Sequence, residues 1–237
     1  MILLVDYDNI RPIDRNRGLA YVIEKTIRAI GTAAFTSSPR ARVRLYGGWH
    51  MGSQRSRLAQ KLAAEVSAGF SRVVVATDAG SSIKVTTNVE LAYSLECDPR
   101  SVLPSTFRVR GAPENLRPKP LPYSGCHQPS SCALTVIHSF LANSACPQHG
   151  CTVSIDAVVE RAEQKLVDGM ITTDFLHLST RAKEPIAIVS SDDDLWPAIH
   201  GAVIYGADVY HVQTHTGRIT PTHYSSLVSG RYSQFTI

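Results

Sequence analysis

Nowhere in the 237 residues does an apolar run approach the roughly 20 residues that a membrane-spanning helix requires, so a protein built on such helices is excluded. No signal peptide is expected, because residues 1–5 already read as a buried strand. A cytoplasmic protein without a membrane partner is the expectation. Strong charge of either sign is missing: the formal net charge is only +4, so attraction for polyanions has to come from local clusters of cations. Arg11, Arg15 and Arg17 form one such cluster, and Arg100, Arg108, Arg110, Arg117 and Lys119 form another. What is present is apolar content of 43%, enough to bury a sizeable core in one large domain or in one domain carrying an insertion.

Strand-like and helix-like segments alternate through most of the chain. ILLVD (2–6) is a continuous apolar run ending in Asp, as in a central parallel strand with a functional residue at its carboxyl end. Leu19, Val22, Ile23, Ile27 and Ile30 then recur at helical spacing up to Gly31. RVRLYGG (42–48) predicts a second strand, residues 53–68 a helix, RVVVAT (72–77) a third strand and residues 86–95 a short helix. Later, 153–178 reads as a long helical segment, PIAIVSSD (185–192) as a buried strand, Leu195 to Val203 as a helix and ADVYHVQ (207–213) as the last strand. The tail from 216 to 237 is left unassigned. This alternation predicts a doubly wound α/β sheet.

Regular patterning fails between about 98 and 131, where seven prolines fall. A loop of that length inside a compact domain is either functional or held by something other than a core. Cysteine offers the means. Cys126, Cys132, Cys146 and Cys151, with His127 and His149 beside them, lie within 26 residues and suit a structural zinc site better than disulfides in a reducing compartment. Five and four residues separate the paired cysteines, wider than a typical zinc knuckle, so either histidine remains an alternative ligand and free buried thiols remain an alternative to zinc. The whole chain is thus expected to be one domain interrupted by a Cys-rich insertion at about 112–152.

Three acidic clusters carry the chemistry: Asp6 with Asp8 and Asn9, then Lys165 with Asp168 and Asp174, then Asp192, Asp193 and Asp194 after Ser190 and Ser191. Each adjoins a strand or helix end, so a fold that joins those ends gathers several carboxylates. Carboxylate oxygens suit Mg²⁺ or Mn²⁺, and two such ions can clamp the attacking and leaving oxygens of a phosphodiester. An aspartate before a helix is also an ordinary cap, but three in a row exceed what capping needs. Asp193, between two candidates on extended backbone, should face away. Asp174 reads as a cap for the helix beginning at Phe175.

VDYDNI (5–10), KLVDGMITTDFL (165–176) and IVSSDDDLWPAI (188–199), followed by GADVYHV (206–212) and preceded by a second strand in RVRLYGGWH (42–50), resemble the NYN branch of the PIN-like nucleases. The likeness spans nearly the whole chain apart from the Pro/Cys-rich middle and the tail, and departs at Ser191, where the family commonly has Gly. It implies a Rossmann-like (PIN-like) parallel sheet flanked by helices, Mg²⁺ or Mn²⁺ in an acidic pocket, and endonuclease activity usually directed at RNA. By position, Asp6, Asp168, Asp192 and Asp194 would hold metal, Asn9 would shape the turn or contact the scissile phosphate, and Lys165 would neutralise phosphate charge. Ser190, Ser191 and Arg11 are candidate substrate contacts, and Trp49, with His50 and Tyr7, is a candidate for stacking on unpaired bases, with partly buried packing the commoner role for such rings. Hydrolysis by a metal-activated water follows, on single-stranded or structured RNA, with room for a homo-oligomer or a regulatory protein partner.

Two alternatives stand beside this reading. In a haloacid-dehalogenase-like phosphatase Asp6 would be the nucleophile, Asp8 the acid/base, Lys165 the lysine and Asp192 to Asp194 the Mg²⁺ ligands. A catalytically inactive module would keep the fold and bind nucleic acid or protein. The joint presence of Asp6, Asp168, Asp192 and Asp194 argues against it.

Overall fold

The computed structural model describes residues 1–113, 116–127, 132–181, 184–215 and 230–237. In chain order the strands are β1 (Ile2–Asp6), β2 (Arg40–Tyr46), β3 (His50–Met51), β4 (Gln54–Arg55), β5 (Arg72–Asp78), β6 (Ser81–Leu91), β7 (Ser94–Leu95), β8 (Asp98–Val102), β9 (Phe107–Gly111), β10 (Glu160–Gln164), β11 (Ile186–Val189), β12 (Val209–Gln213) and β13 (Tyr232–Thr236). The helices are α1 (Pro12–Arg15), α2 (Leu19–Ile30), α3 (Arg57–Gly69), α4 (Leu134–Asn143), α5 (Val167–Arg181) and α6 (Trp196–Ile204).

The chain divides into two compact units, one of residues Met1–Phe107 with Gln164–Ile237 and one of Arg108–Glu163. The first unit is built on a seven-stranded sheet in the order β13-β12-β11-β1-β2-β6-β5. β1 pairs in parallel with both β11 and β2, setting Val5 beside Val189 and Asp6 beside Tyr46. Because β1 is buried on both faces, all of ILLV is apolar: Leu3 and Val5 join one core with Val22, Ile23 and Ile27 of α2 and Leu62 of α3. Ile2 and Leu4 join the other, with Ile171 and Phe175 of α5 and Ile199 of α6. α2 stops at Gly31, whose φ of 81° belongs to glycine and where a Cβ would lie 2.6 Å from Asp78 Oδ1.

The sheet is mixed rather than purely parallel. β5 runs antiparallel to β6, and β6 occupies residues expected to be helical. Thr86, Thr87 and Val89 explain the difference: β-branched side chains are stiff in a helix and pack well on a pleated sheet. β6 pairs in parallel with β2, with α3 in the connection between them, and β5 reaches the sheet edge as the antiparallel arm of a short hairpin with β6. The span 153–178 is likewise not one helix. It holds a 3₁₀ turn at Ile155–Ala157, strand β10 and only then α5. In the tail, β13 adds a parallel edge to β12, while 216–229 lie outside the described residues.

In the second unit β9 and β10 form a two-stranded ribbon and α4 buries none of its own residues. Its four cysteines are reduced, with Cys126, Cys132 and Cys146 half-buried and Cys151 exposed. A backbone N–H at Val153 and then the Cys146 thiol lower the Cys151 thiol pKa. The expected four-ligand cluster does not form: among the described residues no three His, Cys, Asp or Glu side chains are set to hold one ion. None of the described helices is long and apolar enough to cross a membrane.

Candidate active site

β1 and β11 lie side by side where the strand order reverses, the point at which open α/β sheets present ligand crevices at their carboxyl ends. Asp6 closes β1 and is buried there. One of its oxygens accepts the Ser190 hydroxyl at 3.0 Å and the other accepts the Asn9 N–H at 3.3 Å. Ser190 Oγ in turn accepts the Asp192 N–H at 3.1 Å, so a single hydroxyl ties the end of β1 to the acidic loop after β11. Asn9 Oδ1 accepts from Ser191 N–H at 2.9 Å and from the Thr214 hydroxyl at 2.6 Å. Ser191 Oγ accepts the N–H groups of Thr214 and His215 at 2.8 and 3.0 Å. The ends of β1, β11 and β12 are thereby locked together.

Burial, opposed by the Ser190 and Asn9 hydrogen bonds and reinforced by the charges of Asp168 and Asp8, pushes Asp6 up to about 7. Burial and then the charges of Asp192 and Asp194 raise Asp168. Asp168 stands in the first turn of α5, and α5 packs against the 3₁₀ turn Asp193–Leu195. The four carboxylates of Asp6, Asp168, Asp192 and Asp194 therefore share one electrostatic environment, and among the described residues no Lys or Arg pairs with any of them. Among the described residues no three of these carboxylates are set to hold one ion. Asp192 is also the cap of the 3₁₀ turn, accepting the Asp194 N–H at 3.0 Å.

Several candidate contacts are corrected. Trp49 is buried and donates its indole N–H to Leu45 O at 3.0 Å, and His50 and Tyr7 are buried too, so none of these rings offers a face to a base. Ser190 and Ser191 spend their hydroxyls on the scaffold just described. Arg11 is bound to Asp14, with Nε 2.9 Å and Nη2 2.8 Å from Oδ2, inside α1 and its cap. Lys165 leads into α5, its N–H donating to Thr106 O at 2.9 Å. Asp8 accepts the Gly48 N–H at 3.0 Å and faces Arg15 at 3.5 Å. The neighbouring Gly47 is needed there, since a Cβ would sit 2.8 Å from Asp8 and 2.7 Å from Trp49.

Asp174 does not cap a helix. It lies in the interior of α5, fully buried, accepting the Tyr46 hydroxyl and the Glu96 N–H, each at 2.7 Å, with Arg44 3.5 Å away. It clamps α5 to β2 and so fixes the turn that carries Asp168. Two further residues went unnoticed in the sequence. Thr214 holds Asn9, and its signal was a polar QTH following an apolar strand. His211 donates from Nε2 to Ser190 O at 3.0 Å and accepts the Tyr232 hydroxyl at Nδ1, 2.8 Å away; the carbonyl can only accept, which fixes this tautomer.

Burial lowers His211 from 6.5 to about 4 despite its bond to Ser190. Between those values the unfolded chain takes up a proton that the folded chain refuses. Stability is therefore complete above pH 6.5 and declines toward pH 4, by on the order of 3 kcal/mol. Urea titrations at neutral and acid pH test this: His211→Gln is expected to show a shallower acid decline than the wild type. Compared with known proteins, the chain matches no family model, no curated protein and no solved structure.

Proposed function

We propose that the chain is a metal-dependent endoribonuclease of the NYN branch of PIN-like nucleases. What supports the reading is that Asp168 is linked by charge to Asp6 at the end of β1 and to Asp192 and Asp194 after β11, with no Lys or Arg ion-paired to any of the four among the described residues. Carboxylate oxygens are the donors a hard divalent ion takes, and the ion would have to draw these side chains together, since among the described residues no three are set to hold one ion. Bound there, Mg²⁺ or Mn²⁺ would supply an acidified water and stabilise charge on the departing oxygen. The protein's own part is positional. Ser190 aims Asp6, and Ser191 and Thr214 fix the Asn9 carbonyl and leave its amide N–H₂ for a phosphate oxygen; Lys165, three residues before Asp168 in the chain, would offset phosphate charge.

The phosphatase alternative requires Asp8 as a free acid/base, whereas its carboxylate is tied to Gly48 N–H and Arg15. Offered a small phosphomonoester and a labelled oligonucleotide side by side, the protein is expected to cleave the oligonucleotide. Rapid hydrolysis of the monoester with the oligonucleotide intact would decide for the phosphatase.

Zinc in the second unit belongs to the same proposal. Its support is four reduced thiols and two histidines in a unit whose helix buries nothing of its own, and the ion would have to draw the cysteines together. Metal analysis of the purified protein is expected to find about one zinc per chain. A metal-free protein with four freely reactive cysteines and unchanged thermal stability would remove zinc from the account.

A further inference from the structure

We propose that the outer edge of β5 pairs antiparallel with β5 of a second copy of this chain, about a two-fold axis passing at Val75. Among the described residues β5 is the end of the sheet, hydrogen-bonded only to β6. Edge strands that must stay single are blunted by Lys, Pro, a bulge or a very short length. β5 has none of these. It is seven residues long, reads RVVVATD, pairs with β6 in unbroken register and carries no charge between its first and last residues. Val73 and Val75 point away from the α2 core and remain 57% and 38% exposed, whereas Val74 and Ala76 are buried in it.

The strand's sequence is its own complement. With Val75 on the axis, each residue meets the one whose number makes up twice 75, so Val74 faces Ala76, Val73 faces Thr77, and Arg72 faces Asp78 of the second copy. Opposite charges thus meet at both ends of the pairing and β-branched side chains across most of its centre, while a slip of register would break both ion pairs. The ends are ready for this. No ion pair with Arg72 is found among the described residues, and the Asp78 carboxylate is exposed and held in place because its Oδ2 accepts the Thr32 N–H at 2.6 Å and the Thr32 hydroxyl at 2.5 Å. The resulting interface is isologous and closes at two subunits, which removes an open edge from each copy.

Sedimentation velocity on the full chain over the micromolar range tests this. The wild type is expected to be a concentration-dependent dimer. Val75→Lys sets two cations face to face on the axis, and Arg72→Glu sets two carboxylates against each other at both ends. Each is expected to weaken dimerisation about tenfold or more with an unchanged far-UV circular dichroism spectrum, while Val75→Thr stays dimeric. A wild type that is monomeric throughout, or a dimer equally strong in both charge variants, overturns the proposal.

Discussion

Asp192→Asn is expected to lower the rate of RNA cleavage by about a hundredfold or more while leaving the fold intact. The geometry separates the two effects. Asp192 Oδ1 accepts the Asp194 N–H, a bond that the carbonyl of Asn makes equally well, so the cap survives and only the negative charge is lost. Asp8→Asn is the matched control. Its carbonyl keeps the Gly48 N–H, and what it loses is a 3.5 Å pairing with a partly exposed Arg15, worth little. Cleavage rates under identical Mn²⁺ decide the comparison. Equal, severe losses in both variants would assign Asp8 a chemical role and return the phosphatase to contention.

The largest effect on stability is expected at Asp174→Leu, about 3–5 kcal/mol. Removing this carboxylate strands two donors, the buried Tyr46 hydroxyl and the half-buried Glu96 N–H, and takes one of several acceptors from Arg44, which keeps Glu96 and the Ser94 carbonyl. Neither shape nor apolarity compensates, because the cost lies in donors left without an acceptor. Asp174→Asn retains one acceptor but turns an N–H₂ toward another donor, and should fall between Leu and wild type. Urea denaturation midpoints measure the series, and a Leu variant as stable as the wild type would show that the clamp carries no weight.

The sequence made the central strands legible because β1 and β11 are apolar runs that end in polar residues, β2 alternates arginine with apolar residues up to two glycines, and α2 shows an unbroken helical stripe. Residues 86–91 read as helical because Asn88 and Glu90 interrupt the apolar pattern, and in β6 these two side chains are exposed while Thr87 is buried. The span 153–164 was misjudged because Val158, Val159 and Ala162 mimic helical spacing in a short ribbon. At the site, the aspartates announced themselves by clustering at element ends. Trp49 misled because an aromatic beside glycines reads the same whether it faces solvent or closes a core. The Asp174 clamp was out of reach, since its partners Tyr46 and Glu96 lie 128 and 78 residues away and only the folded chain brings them together.

The central claim is tested most directly by incubating the wild-type chain with internally labelled single-stranded RNA in Mn²⁺ or Mg²⁺, with an EDTA-treated sample alongside. The account predicts internal cuts leaving 3′-hydroxyl and 5′-phosphate ends, abolished by EDTA and restored by added Mn²⁺. RNA that stays intact with either metal, or cleavage that continues undiminished in EDTA, would contradict it.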